Sequence, residues 1–209
     1  MKIDTIAMLA RKSCAVLSII ALTCLVVLML ASWIITSANP NLPMRSLLSS
    51  EGIRWLFGLS ASHLANPVGV WLLLLSFTFG AVRESGVKEL FRRDKQLTYR
   101  QRFALRLTLV EALLIVGGLL LLTVAPHAIM LGVTGTLLTG SFIHGAIPLL
   151  LLSITVMSLT YGMVSGTIVS LSKAFDAMAT GVRAFAPAFV LYVFATELIA
   201  SACFVFSVG

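Results

Sequence analysis

The chain has 209 residues, of which 59% are hydrophobic and 11% charged, and its mean hydropathy is +1.04, far from soluble-domain values. A bilayer core of roughly 30 Å needs about 20 apolar residues per helical crossing. Length and composition therefore exclude a water-soluble domain and predict an all-α, polytopic integral membrane protein forming one transmembrane domain over residues 1–209. The formal charge of +7 does not point to nucleic acid, because the basic residues fall in loops between apolar segments.

The first apolar run, residues 13–35, follows Arg11 and Lys12 and is longer than the apolar region of a cleavable signal peptide, so it reads as a retained helix. Asn39-Pro40-Asn41 and Pro43 then make a turn-rich exit. Residues 50–64 place Ile53, Leu56 and Phe57 at helical spacing beside Glu51 and Arg54, the pattern of an interfacial helix, with an ordinary polar loop as the alternative. A second span covers 67–82, opened by Pro67, which suits a first helical turn. The basic segment 83–106 has the highest charge density in the chain. A third span, 107–125, ends at Pro126. A fourth, 146–169, follows a loop over 126–145 that contains no Lys or Arg. A polar-apolar mixture over 170–183 carries Lys173, Asp176 and Arg183, and the last span is 184–208. The expected architecture is thus about five transmembrane helices plus one interfacial helix. Cys14, Cys24 and Cys203 all lie within apolar runs, where a thiol behaves as a small hydrophobe, and no disulfide or zinc spacing is present.

Five crossings put the N-terminus and the second and fourth loops on one side. Of the 15 Lys and Arg, all but Arg45 and Arg54 fall there. The positive-inside rule then makes the N-terminus cytoplasmic and the C-terminus external, in a bacterial inner membrane. Trp33, Trp55 and Trp71 all fall at the outer boundary under this topology, as belt residues do.

No catalytic constellation is legible, and no metal site or cofactor is expected. His63, His127 and His144 all lie on the external side without paired spacing or an evident carboxylate partner. Gly117-Gly118 and the glycines between 132 and 140 are not phosphate cradles, since no Lys-Ser/Thr follows and no strand precedes. Glu197 is more informative. It falls near the middle of the last span, where an ionised carboxylate costs on the order of 2.5–3.5 kcal/mol even on insertion scales. Two readings are open: a proton or cation site, or a neutral carboxyl hydrogen-bonded to Thr196, Ser201 or a neighbouring helix. Glu111 lies about one turn inside the cytoplasmic end of the third span, within reach of a basic partner such as Arg106 or of water. Gly162 and Gly166, with Ser158 one turn earlier, form a small-xxx-small pair of the kind that lets another helix approach closely.

Several blocks, taken in order, resemble the aminobenzoyl-glutamate transporter (AbgT) family. The first are Ser46-Leu-Leu-Ser-Ser-Glu-Gly-Ile-Arg-Trp55, Asn66-Pro67-Val-Gly69 and Gly80-Ala-Val-Arg-Glu-Ser-Gly86. They continue with Leu97-Thr98-Tyr-Arg-Gln-Arg-Phe-Ala-Leu-Arg106, Phe142-Ile-His-Gly-Ala-Ile-Pro148, Tyr161-Gly162, Ser165-Gly166-Thr-Ile168 and Val193-Phe-Ala-Thr-Glu-Leu-Ile-Ala200. The family's proteins are more than twice as long and work through two re-entrant hairpins with serine-rich tips. Measured against that pattern, this chain joins the flanks of the first hairpin between Arg93 and Leu97 and stops before the second. Where the family shows Asn-Trp-Ser-Asn, it has Cys203-Phe-Val-Phe206. If the flanks keep their orientation, the missing piece contains an even number of full crossings.

The resemblance implies transport of aminobenzoyl-glutamate or a similar small acid, coupled to protons with Glu197 as the candidate carrier. Five spans without broken helices are few for a private pathway. A homo-oligomer, or a second membrane protein supplying the hairpins, is then the expected partner besides the lipid bilayer. The alternative function is a non-transporting scaffold or subunit that binds another membrane protein through faces such as that of Gly162 and Gly166.

Overall fold

A computed structural model describes residues 2–39, 43–91, 98–124 and 141–206. Every regular element among them is helical: α1 Lys2–Ala38, α2 Ser50–Leu64, α3 Pro67–Glu84, a short 3-10 turn Val87–Phe91, α4 Tyr99–Val124, α5 Ser141–Ser165 and α6 Leu171–Val205. Among the described residues, five helices are long and apolar enough to cross a membrane, over Met8–Ala38, Pro67–Glu84, Tyr99–Leu121, Gly145–Ser165 and Leu171–Val205. With 15 residues, α2 is about 22 Å long, short of the bilayer core.

Helix ends differ from the hydropathy reading because hydropathy marks the bilayer, whereas local backbone chemistry sets where a helix stops. α1 continues through Arg11 and Lys12, whose long stems let their charges reach water. α2 begins at Ser49, which is extended (φ −71°, ψ 163°) and accepts the Gly52 N–H at 3.0 Å, as an N-cap does. Asn66 Oδ1 accepts from Val68 N–H at 3.3 Å, and Pro67 opens α3. At the other end of α3, Gly86 adopts φ +76°, the left-handed conformation that ends helices. Gly166, at φ +83°, ends α5 four residues before the expected limit of the fourth span. Its N–H bonds Met163 O at 3.2 Å, and Ile168 N–H bonds Gly162 O at 2.9 Å.

Residues 170–183, expected as a loop, are helical. Ser170 Oγ accepts the Lys173 N–H at 3.3 Å and starts α6, so the last span extends 13 residues further towards the N-terminus than expected. Charged residues do not stop a helix, and Ala174, Ala177 and Ala179 favour one. Pro148 and Pro187 lie inside α5 and α6, as membrane helices tolerate. Pro126 and most of the 126–145 loop lie outside the described residues.

The chain forms two compact units, residues 1–69 with 185–209, and residues 70–184. In the first, Leu47, Phe204 and Val205 form a buried cluster against Leu28, Met29, Met44 and Trp55. The segment after α1 is held there by Arg45 N–H on Val205 O at 3.0 Å and Leu47 N–H on Ser32 Oγ at 3.3 Å. Gly52 is required at this point, since a Cβ on it would come within 2.5 Å of the Ser46 and Leu47 carbonyl oxygens.

In the second unit, α4 and α5 pack along each other, and α3 meets α5 through Thr78. The Thr78 and Thr155 hydroxyls stand 2.9 Å apart, both over the Leu151 carbonyl, at 3.0 and 2.8 Å. α3 meets the start of α6 closely at small residues. A Cβ on Gly80 would overlap the Ala177 carbonyl oxygen, and one on Gly181 would overlap that of Ser76. Ser76 with Gly80 and Ala177 with Gly181 are thus two small-xxx-small pairs in backbone contact, where packing rather than water exclusion holds the helices.

Candidate functional site

Glu197 lies on α6 about two turns before the helix ends at Val205, nearer that end than the expected mid-span position. Its Oε2 is 3.5 Å from His63 Nδ1 on the last turn of α2, and the two side chains are only 17% and 14% exposed. His63 therefore does have a carboxylate partner, contrary to the expectation from spacing. The fold brings together residues 134 positions apart, which no local motif records. His63 Nδ1 has no hydrogen-bond partner among the described residues, so the pair is in contact without being locked into one bond.

The Trp55 ring lies 4.5 Å from the His63 ring and stacks on Phe204, also at 4.5 Å. The Arg45 guanidinium sits 5.7 Å from the Phe204 ring centre, a cation–π distance, and also 3.7 Å from Glu51 at the surface. Tyr192, one turn before Glu197, donates from its hydroxyl to Leu64 O at 2.9 Å and so ties α6 to the end of α2. A Cβ on Gly69 would lie 2.8 Å from the same hydroxyl. Ser201, one turn after Glu197, is fully buried, and its hydroxyl has no partner among the described residues. An imidazole and a carboxylate side by side and mostly buried have the chemistry to exchange a proton.

The other singled-out residues are in the second unit. Glu111 Oε1 accepts from Thr160 Oγ1 on α5 at 3.4 Å, and no ion pair with Arg106 is present among the described residues. Gly162 is buried, and a Cβ there would come within 2.6 Å of the Ile168 side chain and 3.2 Å of Ser85 Cα. Gly166 is exposed and serves as the α5 terminus. A close helix crossing is present at the Ser76–Gly80 and Ala177–Gly181 pairs, whose four-residue spacing is a sequence signal equal to that of Gly162 and Gly166. His127 and the His144 side chain lie outside the described residues. Among the described residues, no group of three His, Cys, Asp or Glu is placed to hold a metal.

Comparison with known proteins adds three findings. The AbgT putative transporter family matches residues 49–207, which takes in α2 through α6 and leaves α1 outside. No curated protein matches the chain. Among solved structures, the Alcanivorax borkumensis YdaH transporter, described as having an unusual topology, is 14% identical with a TM-score of 0.72. The similarity covers 88% of this chain and 70% of that one, a likeness of fold.

Proposed function

Because the chain belongs to the AbgT putative transporter family, we propose that it is a proton-coupled carrier of a small carboxylate, with the His63–Glu197 pair handling the proton. The observation that supports this is the pair itself: two proton-exchanging groups in contact and mostly buried in a membrane protein. Intramembrane carboxylates are costly unless partnered, and they mark ion and proton pathways. Aminobenzoyl-glutamate is the substrate suggested by resemblance. The protein works in the bacterial inner membrane, N-terminus cytoplasmic, as a homo-oligomer or with another membrane protein.

The test is uptake of labelled aminobenzoyl-glutamate into vesicles reconstituted with the purified chain under an imposed pH gradient. Uptake is expected to follow the gradient and to fall at least tenfold in Glu197→Gln, with folding verified by circular dichroism. Gradient-driven uptake unchanged in Glu197→Gln removes the pair from the mechanism.

A second reading is a non-transporting subunit of a larger complex. It is favoured by Gly117 and Gly118 on α4, which face open space among the described residues and would admit a helix of a partner. Absence of uptake together with a stoichiometric partner after mild-detergent purification supports that reading.

A further inference from the structure

We propose that α1 and α6 form a binding groove for an anionic phospholipid, with Arg11 holding the headgroup phosphate and one acyl chain lying between the helices. The groove encloses about 310 Å³. Its α1 wall is a single helical stripe, Arg11, Ala15, Ser18 and Leu22, at successive turns of one face and extending roughly 16 Å along the axis. Pro187, Val190 and Phe194 supply the α6 wall. Ala15 and Ser18 are small, which makes the furrow.

The chemistry along this furrow is graded from one end to the other. The Ser18 hydroxyl donates to Cys14 O at 2.7 Å, so it offers its hydrogen to nothing in the groove. Apart from Arg11, the walls give water almost no hydrogen-bonding partner, and such a cavity favours hydrocarbon. At the other end Arg11 has no ion-pair partner among the described residues. A guanidinium can bind a phosphate through two parallel hydrogen bonds. A cation at the mouth of an apolar furrow that follows the helix axis matches the shape and charge of an anionic phospholipid, with its head at the interface and its tail along the bundle. Arg11 lies on the side proposed as cytoplasmic, next to Lys12, where basic residues attract anionic lipid at about 1 kcal/mol each.

The groove makes no use of His63 or Glu197, so this proposal stands or falls separately from transport. The test uses the full chain in phosphatidylcholine nanodiscs containing a minor fraction of phosphatidylglycerol, with the lipids retained after extraction counted by native mass spectrometry. Preferential retention of phosphatidylglycerol is expected, and it should weaken as salt is raised. Arg11→Gln should lower the phosphatidylglycerol to phosphatidylcholine ratio about fivefold, whereas Lys12→Gln, adjacent in sequence but not lining the groove, should leave most of it. Ala15→Phe should fill the furrow and lower retention of both lipids. Equal retention of the two lipids by the unmodified chain overturns the proposal, as does equal loss in Arg11→Gln and Lys12→Gln. Displacement of the lipid by a second copy of the chain or by aminobenzoyl-glutamate assigns the groove to that occupant and overturns it too. The salt series on the unmodified chain decides the matter if a variant fails to fold.

Discussion

Glu197 and His63 are each less than one-fifth exposed, so whatever charge either carries is weakly screened and each sets the environment of the other. Their coupling is measurable apart from transport. A double-mutant cycle of His63→Ala and Glu197→Gln on unfolding in mild detergent should give an interaction energy in the range of about 0.5–3 kcal/mol, as for residues in contact. Strictly additive effects would mean that the 3.5 Å approach carries no energy. Trp55 is the second residue to probe, since its ring touches both His63 and Phe204. Trp55→Ala should lower the unfolding midpoint through the cavity it leaves, while Trp55→Phe retains most of the stacking on Phe204 and should fall between. An unchanged midpoint in Trp55→Ala would show that the ring is dispensable. Glu197 was legible in the sequence as a costly carboxylate within an apolar run. His63 was not, because its partner is 134 residues away. A usable signal did exist: the first loop and the end of the last span fall on the same predicted side of the membrane, which brings the Glu197 carboxylate towards a histidine of the first loop.

Among the helices, the strongest constraint is the crossing of α3 over the start of α6. Gly80 and Gly181 sit against backbone atoms that cannot move aside as a side chain can. Gly181→Leu should therefore sharply reduce folded, detergent-stable protein. Gly117→Ala, where an added Cβ meets nothing within 4 Å among the described residues, should be tolerated and add roughly 0.5–1 kcal/mol of helix stability. Comparable yields of the two variants by size-exclusion chromatography would show that the crossing is not needed for folding. The five spans were readable because a bilayer demands long apolar runs. Their limits were not, because caps and terminators act independently of hydropathy. Ser170 starts α6 within a charged stretch, and Gly166 ends α5 within an apolar one. The α3–α6 crossing was hidden for a related reason: Ser76, Gly80, Ala177 and Gly181 were as visible in the sequence as Gly162 and Gly166. Without knowing which helices meet, spacing alone could not choose among them.

For the molecule as a whole, the open physical question is which side each loop faces. The family match begins at residue 49 and extends through 207, so it does not take in α1, and a 14% identical neighbour shows a likeness of fold without orienting it in the membrane. Charge supplies an argument independent of both. All but two of the 15 Lys and Arg fall in the N-terminal segment, in 83–106 or in 170–183. The last of these became helix rather than loop, which lengthens α6 without adding a crossing and leaves the alternation of sides unchanged. In the orientation proposed above, Lys173 and Arg183 then sit on a helical extension at the same basic side as the N-terminal segment and 83–106. An alkaline phosphatase fusion after Gly209 should accordingly be active, and a green fluorescent protein fusion there dark. Fusions at Lys95 should show the reverse. Reversal of both would invert the topology and place His63 and Glu197 at the cytoplasmic end of the path, where a proton would leave the carrier on uptake rather than enter it.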